Sequence, residues 1–320
     1  MYRSGYVLRR VAFAVVTIYI IATLNFLLFR VLPGSAVTRI SRIPNASPEL
    51  KAAVIHQFGL DKPLWEQYWI YLGQLLHGNM GISYVNQQPV TDNLWTAFTN
   101  TIPMVAIGTI LALVIGIAVG VLSAVRRGTA SDHIGTNLAV LFYAFPTQFL
   151  GMMILIFAAG VLPVAGMSDA FELDPSTWGH LLDVGKHMIL PVLTLTLTLF
   201  AENALIVRSS MLETLGEDYI LTARAKGLPR RRIIRAYALR NAMLPTITLI
   251  ALSLGSIVTG AILIEIIFSW PGIGRALYSA VLSRDYPMLQ GGFLVITVTV
   301  IVFNLAADLL YAKLDPRIRA

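Results

Sequence analysis

The chain has 320 residues, 56% hydrophobic and only 13% charged, with a formal net charge of +7. Soluble domains carry about 25% charged residues, so the composition excludes an ordinary soluble domain and indicates a polytopic membrane protein. The absence of cysteine excludes a disulfide framework, a thiolate nucleophile and a Cys-based metal site, and the basic residues gather at the ends of apolar runs, as orienting charges do, rather than over a nucleic-acid-binding face.

Six apolar runs approach or exceed the roughly 20 residues needed to cross a bilayer. They lie at 11–29, 102–125, 134–162, 188–207, 242–268 and 293–311. None alternates as a strand does, so helices are expected throughout. The first run follows Arg9 and Arg10 in the manner of a signal peptide. It lacks a small-x-small cleavage site and is long enough to span, so it reads as a retained anchor. The third run is too long for one straight span, and Pro146 interrupts it, which predicts a kink or a tilted helix.

Segment 33–100 separates the first two runs. Ser47-Pro48-Glu49 has the form of a helix start and Gly59 that of a stop. Asp61 is placed to cap a second helix over 63–76, where Trp65, Tyr68, Trp69 and Leu72 recur at helical spacing. That stripe is expected at the membrane interface or against the span ends.

Lys and Arg collect in alternate loops: Arg3, Arg9 and Arg10; Arg126 and Arg127; eight residues between Arg208 and Arg240; and Lys313, Arg317 and Arg319. By the positive-inside rule both termini are cytoplasmic, as is the loop between the fourth and fifth runs. That loop has more structure than topology requires. Leu212, Leu215 and Tyr219 share a helix face, and Ile233, Ile234, Tyr237 and Ala238 form a second apolar stripe. Between them Gly227-Leu228-Pro229 reads as a helix stop followed by a start, with Gly at C′ and Pro at N1. Ala223, Ala225 and Gly227 keep the bend slim. A bent basic helix pair of this kind suits a partner's groove.

The stretch LTARAKG at 221–227 resembles the start of the EAA loop, E-A-A-x-x-x-G, of ABC importer permeases. Ala223 and Gly227 fall on its second Ala and its Gly, while Leu221 replaces the Glu and Thr222 the first Ala. LPG at 32–34, FGLDKPLWEQY at 58–68, HGNMGIS at 77–83, FPTQFLG at 145–151, EIIFSWPGIG at 265–274, RDYP at 284–287 and LDPRIR at 314–319 resemble the dipeptide/oligopeptide/nickel class, inner-membrane "B" type, in order and spacing. The resemblance implies an all-α membrane protein with six transmembrane helices in the type I importer permease fold. It divides the chain into an anchor at 1–32, an extracytoplasmic segment at 33–100 and a permease core at 101–320, with the coupling loop at about 208–240.

It further implies a prokaryotic inner-membrane location and four kinds of contact. These are a second homologous permease, two cytoplasmic ATPase subunits that bind ATP and Mg, an extracytoplasmic solute-binding protein, and membrane lipid. Tyr219, Thr222, Ala223, Lys226 and Gly227 are the residues expected to contact the ATPase or shape the bend. The solute would be a peptide or a related molecule such as a nickel chelate, haem or an oligosaccharide. The alternative is a secondary transporter or channel acting without an ATPase.

Other candidates are weaker. Gly116 and Gly120 form G-x-x-x-G in the second run, expected to pack within the chain. Glu202 lies inside the fourth run beside Asn203. An intramembrane acid suggests a functional role, and pairing with a cytoplasmic-end arginine such as Arg208 is the equal alternative. Asp308 precedes Lys313 near the end of the last run, where pairing or snorkelling is expected. Glu265, Pro271 and Gly272 belong to a segment that in the family picture helps close the outer gate, against the plainer reading of an interfacial turn before a short helix through Leu282. The five histidines show no metal-ligand spacing, and no G-x-x-x-x-G-K-[ST] is present, so the chain is not expected to hydrolyse ATP itself or to hold a metal.

The charge asymmetry has a direct test. Single cysteines in place of Ser47 and Arg231 should react with membrane-impermeant maleimide from opposite sides of oriented vesicles. Reaction of both from one side would contradict the assigned orientation.

Overall fold

A backbone in lipid must satisfy its own polar groups, and this chain does so with helices. The computed structural model describes residues 2–31, 48, 55, 59, 61–169, 177–243 and 261–314. Its helices are α1 (Tyr2–Val31), α2 (Leu64–Leu76), α3 (Val90–Val125), α4 (Ala130–Ala144), α5 (Thr147–Ala158), α6 (Thr177–Leu215), α7 (Asp218–Ala225), α8 (Arg230–Arg232), α9 (Ile273–Ser283) and α10 (Tyr286–Leu314). A π-helix, Ile233–Ala238, follows α8, and helical turns cover 261–267. Among the described residues the sole β feature is an isolated bridge between Ile82 and Pro89.

Four helices are long and apolar enough to cross a membrane: α1, α3, α6 and α10. The pair α4–α5 makes a fifth if counted as one. The run at 242–268 lies largely outside the described residues, as do the helix expected after Ser47 and the LPG motif. Gly59 is described and has φ +55°, the left-handed conformation suited to a stop.

Two compact units emerge, residues 1–101 with 271–320, and residues 102–270. In the first, α1 packs along α10, and Asn25 Nδ2 donates to the Gln290 carbonyl at 2.9 Å. Helix α2 lies on α1 through Tyr68, whose ring sits 5.3 Å from Phe26 and whose hydroxyl bonds Thr23 at 2.8 Å. The expected aromatic stripe therefore divides: Tyr68 and the buried Tyr71 pack on the span, while Trp65 and Trp69 face outward. Asp61 does not cap α2. The helix begins after Pro63 with no side-chain cap bond, and its first turn is held by the Lys62–Glu66 pair at 3.5 Å and by Gln67 Nε2 donating to the Lys62 carbonyl at 2.8 Å.

Two sequence fragments 202 residues apart meet in this unit: Ser83 Oγ donates to the buried Asp285 carboxylate. The other oxygen of Asp285 accepts from the Met288 amide at 3.3 Å, so one carboxylate caps α10 and anchors the turn after α2.

The second unit is organised by α6, whose 39 residues extend about 58 Å at 1.5 Å per residue. Beyond the run at 188–207, its N-terminal end carries buried Asp183 and His187, with His187 Nδ1 3.3 Å from Asp183 Oδ1. Asp183 Oδ2 in turn accepts from the Asp169 amide at 2.8 Å. Around the middle, Met104, Leu190, Leu195, Ile264, Phe268 and Trp270 form the main buried cluster.

Pro146 does more than kink the third run. It ends α4 and starts α5, and the two helices meet at 104°. Phe145, held extended at ψ 129° as a residue before proline must be, and Pro146 at ψ 135° place two consecutive non-helical residues in the chain.

The G-x-x-x-G of α3 packs within the chain. A Cβ at Gly116 would lie 2.7 Å from Asn203 Cβ, and one at Gly120 would lie 2.6 Å from the Ala204 carbonyl oxygen. Ala112, Ala139, Ala201 and Ala204 complete a seam of small residues with Phe200, so backbones approach closely and dispersion replaces the hydrophobic force that lipid does not supply. Gly120→Ala should therefore lower the unfolding temperature of the detergent-solubilised protein, at a cost of about 1–3 kcal/mol for overpacking. Gly185→Ala, also in α6 but with nothing within 4 Å of the new methyl, should be neutral or mildly stabilising. Equal effects of the two would contradict the seam.

Candidate functional site

The loop after α6 is a helical hairpin with two unlike faces. Chain polarity forces its start: Gly216 and Glu217 leave α6 through 3₁₀-type bonds to the carbonyls of Glu213 and Thr214, at 3.0 and 3.2 Å. Asp218 then lies in the first turn of α7, where a carboxylate complements the helix dipole. Thr222 Oγ1 returns to the Asp218 carbonyl at 3.1 Å.

Helix α7 ends as the sequence predicts. Gly227 has φ +73°; its amide donates to the Arg224 carbonyl at 2.9 Å and the Leu228 amide to the Ala223 carbonyl at 3.3 Å. These are the two bonds of a Schellman turn, with Leu228 supplying the accompanying apolar contact. Pro229 stands one position earlier than expected: at ψ 140° it is the N-cap of the next helix, and Arg230 is the first helical residue. From Ile233 to Ala238 the helix widens to π, with the Leu239 amide reaching the Ile234 carbonyl. Such insertions recur where a helix must re-aim its side chains.

The underside of the hairpin is apolar and seated on the last turns of α3 and α6. Ile220, Ala223, Ile233 and Ala238 are buried with Val207, Met211 and Ala124. The outer side carries Tyr219, Leu221, Thr222, Lys226 and Gly227, all exposed. Of the five residues singled out in the sequence, Ala223 is thus a seating residue at 4% exposure, and the other four lie on the outer side. Tyr219 is held by Asn241 Nδ2, which donates to its hydroxyl at 2.8 Å. No Cβ contact within 4 Å would arise in the chain at Gly227, so only its left-handed backbone demands glycine there.

An ion pair fixes the α3–α4 turn to α6 beside this seat. Arg208 Nε lies 2.8 Å and Nη2 3.2 Å from the two oxygens of Asp132. Asp132 is buried and also accepts from the Gly128 amide at 3.0 Å and Thr136 Oγ1 at 3.1 Å. Removing either partner would leave the other without its charge-assisted bonds. The pairing of Glu202 with Arg208 weighed from the sequence is therefore not made: Arg208 is engaged by Asp132, 76 residues away. Glu202 is exposed on α6 and forms no hydrogen bond or ion pair among the described residues.

The remaining candidates separate. Glu265 is fully buried in the second unit, its carbonyl accepting from the Trp270 amide at 2.9 Å. In the first unit, Asn100 Nδ2 donates to the Pro271 carbonyl at 3.0 Å, and the Ile273 amide donates to Thr101 Oγ1 at 3.0 Å. Gly272 is the N-cap of α9, the short helix expected after the W-P-G-I-G turn. Asp308 lies within α10.

Residues 116–320 match the family described as "Binding-protein-dependent transport system inner membrane component". Residues 1–105 match the family described as "Binding-prot-dependent transport system membrane comp, N-term". The chain is 42% identical to the dipeptide transport system permease protein DppB of Escherichia coli (strain K12), over 98% of both chains. It is 36% identical to the di/tripeptide transport system permease protein DppB of Pseudomonas aeruginosa (strain UCBPP-PA14), again over 98% of each. It is 37% identical to the glutathione transport system permease protein GsiC of Salmonella choleraesuis (strain SC-B67), over 98% of this chain and 99% of that one. Among solved structures, a chain of the inward-facing MetNI methionine ABC transporter superposes with a TM-score of 0.56 at 17% identity, covering 69% of this chain and 96% of that one. The fold is thus shared with that transporter, and the chain belongs to the family of binding-protein-dependent transport system inner membrane components.

Proposed function

We propose that this chain is a permease subunit of an ATP-driven importer of peptides, and that the hairpin at 216–243 couples it to an ATPase. The observation that carries the reading is the two-faced hairpin, seated on α6 beneath and presenting a basic bent surface outside, in a chain whose full-length relatives are dipeptide, di/tripeptide and glutathione permeases. Tyr219, Thr222 and Lys226 contact the ATPase. Ala223 and Gly227 shape the hairpin. Leu221, where the EAA pattern has Glu, offers an apolar contact in place of a salt bridge.

The chain crosses the inner membrane six times with both termini in the cytoplasm, and segment 33–100 lies outside. A second homologous permease completes the path, two ATPases dock on the cytoplasmic side with ATP and Mg, and a solute-binding protein delivers the peptide. Closure of the ATPase pair moves the hairpin. The seat passes that motion to α6, because Ile220, Ala223 and Ile233 cannot separate from Met211 and Val207 without exposing a buried apolar cluster. Glu202 faces the second permease or the path it shares with this chain. Pro271 and Gly272 shape the outer gate segment, Glu265 is packing within it, and Asp308 pairs or snorkels near the inner surface.

Replacing Gly227 separates coupling from folding. A left-handed conformation costs a non-glycine residue about 1 kcal/mol, and within this chain the new side chain meets nothing. Gly227→Val should leave membrane abundance near normal while ATPase co-purification and dipeptide uptake fall together. Arg231→Lys, which keeps the charge, should be mild. Full ATPase association and uptake in Gly227→Val would remove the coupling role. Dipeptide-stimulated ATP hydrolysis by the assembled wild-type transporter, in the presence of its binding protein, tests the peptide assignment separately.

A further inference from the structure

A cleft of about 640 Å³ opens between the hairpin and the ends of α3 and α6. Its volume falls in the roughly 300–1,000 Å³ range of small-ligand sites. Three arginines line it, Arg127 from the α3–α4 turn, Arg224 from α7 and Arg230 from α8, against apolar walls that include Val125, Leu215 and Ile234. One guanidinium is fixed: Arg230 Nη2 donates to the Val125 carbonyl at 2.7 Å. Arg127 and Arg224 form none of the ion pairs found among the described residues.

We infer that this cleft binds the phosphate headgroup of an anionic phospholipid. Its composition selects an amphiphile, because guanidinium groups suit a phosphate ester while the apolar walls suit the first methylenes of an acyl chain. Its position selects a lipid: Ala124 and Val125, which line the cleft, are the last residues of α3 and of its apolar run, so the cleft opens at the level of the headgroups. Basic pockets between span ends are suited to such headgroups. A lipid there would touch the α3–α4 turn, the end of α6 and the hairpin at once, holding the hairpin to the spans. The inference goes beyond the transported solute and does not depend on it.

The test uses the purified full chain in its transporter complex, in neutral detergent. Dioleoyl-phosphatidylglycerol and dioleoyl-phosphatidylcholine are titrated, and retained lipid is read by native mass spectrometry. Phosphatidylglycerol should be retained at least about 10-fold more tightly, consistent with about 1 kcal/mol for each basic residue near an anionic headgroup. In Arg127→Gln/Arg224→Gln its affinity should fall about 30-fold by the same measure, whereas Arg127→Lys/Arg224→Lys should hold it within a few-fold. Equal retention of the two lipids by the wild type would overturn the inference, and that comparison needs no variant to fold. Undiminished phosphatidylglycerol binding by the Gln pair would overturn it too. Displacement of the lipid by millimolar inorganic phosphate would reassign the site to a soluble phosphate ester. Retention of phosphatidylglycerol by the permease pair stripped of its ATPases but not by the assembled complex would reassign the cleft to an acidic segment of that partner.

Discussion

The hairpin after α6, for which coupling is proposed, depends on one apolar contact. Ile220, Ala223, Ile233 and Ala238 are buried against Val207 and Met211 of α6 and Ala124 of α3. A basic hairpin without that seat would be a solvated loop, free to follow a partner without moving the spans. With it, displacement of the outer surface requires either displacement of α6 or exposure of the cluster. The Schellman turn at Gly227 makes the seat possible, because it folds Leu228 back beneath α7 and directs Pro229 into the second helix. The Asp132–Arg208 pair ties the α3–α4 turn to the same region of α6, so the adjoining ends of these helices are held by both burial and charge.

In the proposed mechanism, force arriving at the end of α6 would be carried along a helix that its neighbours grip closely. The small-residue seam with α3 and α4 leaves no room for side-chain rearrangement at Gly116 and Gly120. The 104° break between α4 and α5 then lets the chain change direction around α6 rather than run parallel to it. Rigid packing in the middle and a firm seat at the end suit the lever role proposed for α6, and in lipid that rigidity rests on close van der Waals packing.

Features set by local chemistry were legible in the sequence. The end of α7 at Gly227 followed from Gly-Leu-Pro, the break at Pro146 from proline sterics, the short α9 from the W-P-G-I-G turn, and the intrachain use of G-x-x-x-G from its small faces. The family was legible in the order of many short fragments. Features set by distant partners were not. Ser83 and Asp285 are 202 residues apart, Asp132 and Arg208 are 76 apart, and neither spacing marks the pair. The severity of the α4–α5 bend depends on the packing of both helices on α6, and proline alone reports only an interruption. Helices α3 and α6 run past the apolar stretches at 102–125 and 188–207, and hydrophobicity does not mark their polar ends. Ala223 and its exposed neighbours are close in sequence, but only the hairpin's orientation decides which of them is seated.

The most direct measurement uses the cysteine-free chain for spin labelling. Labels at Leu193 on α6 and at Leu221 on the hairpin, both exposed, report one distance by double electron–electron resonance in the assembled transporter. If the hairpin and α6 move as one body, that distribution is the same in the nucleotide-free and ATP-bound states, while the distance from Leu193 to a label on the second permease shifts. A Leu193–Leu221 distance that changes with ATP while α6 keeps its place relative to the second permease would contradict the account.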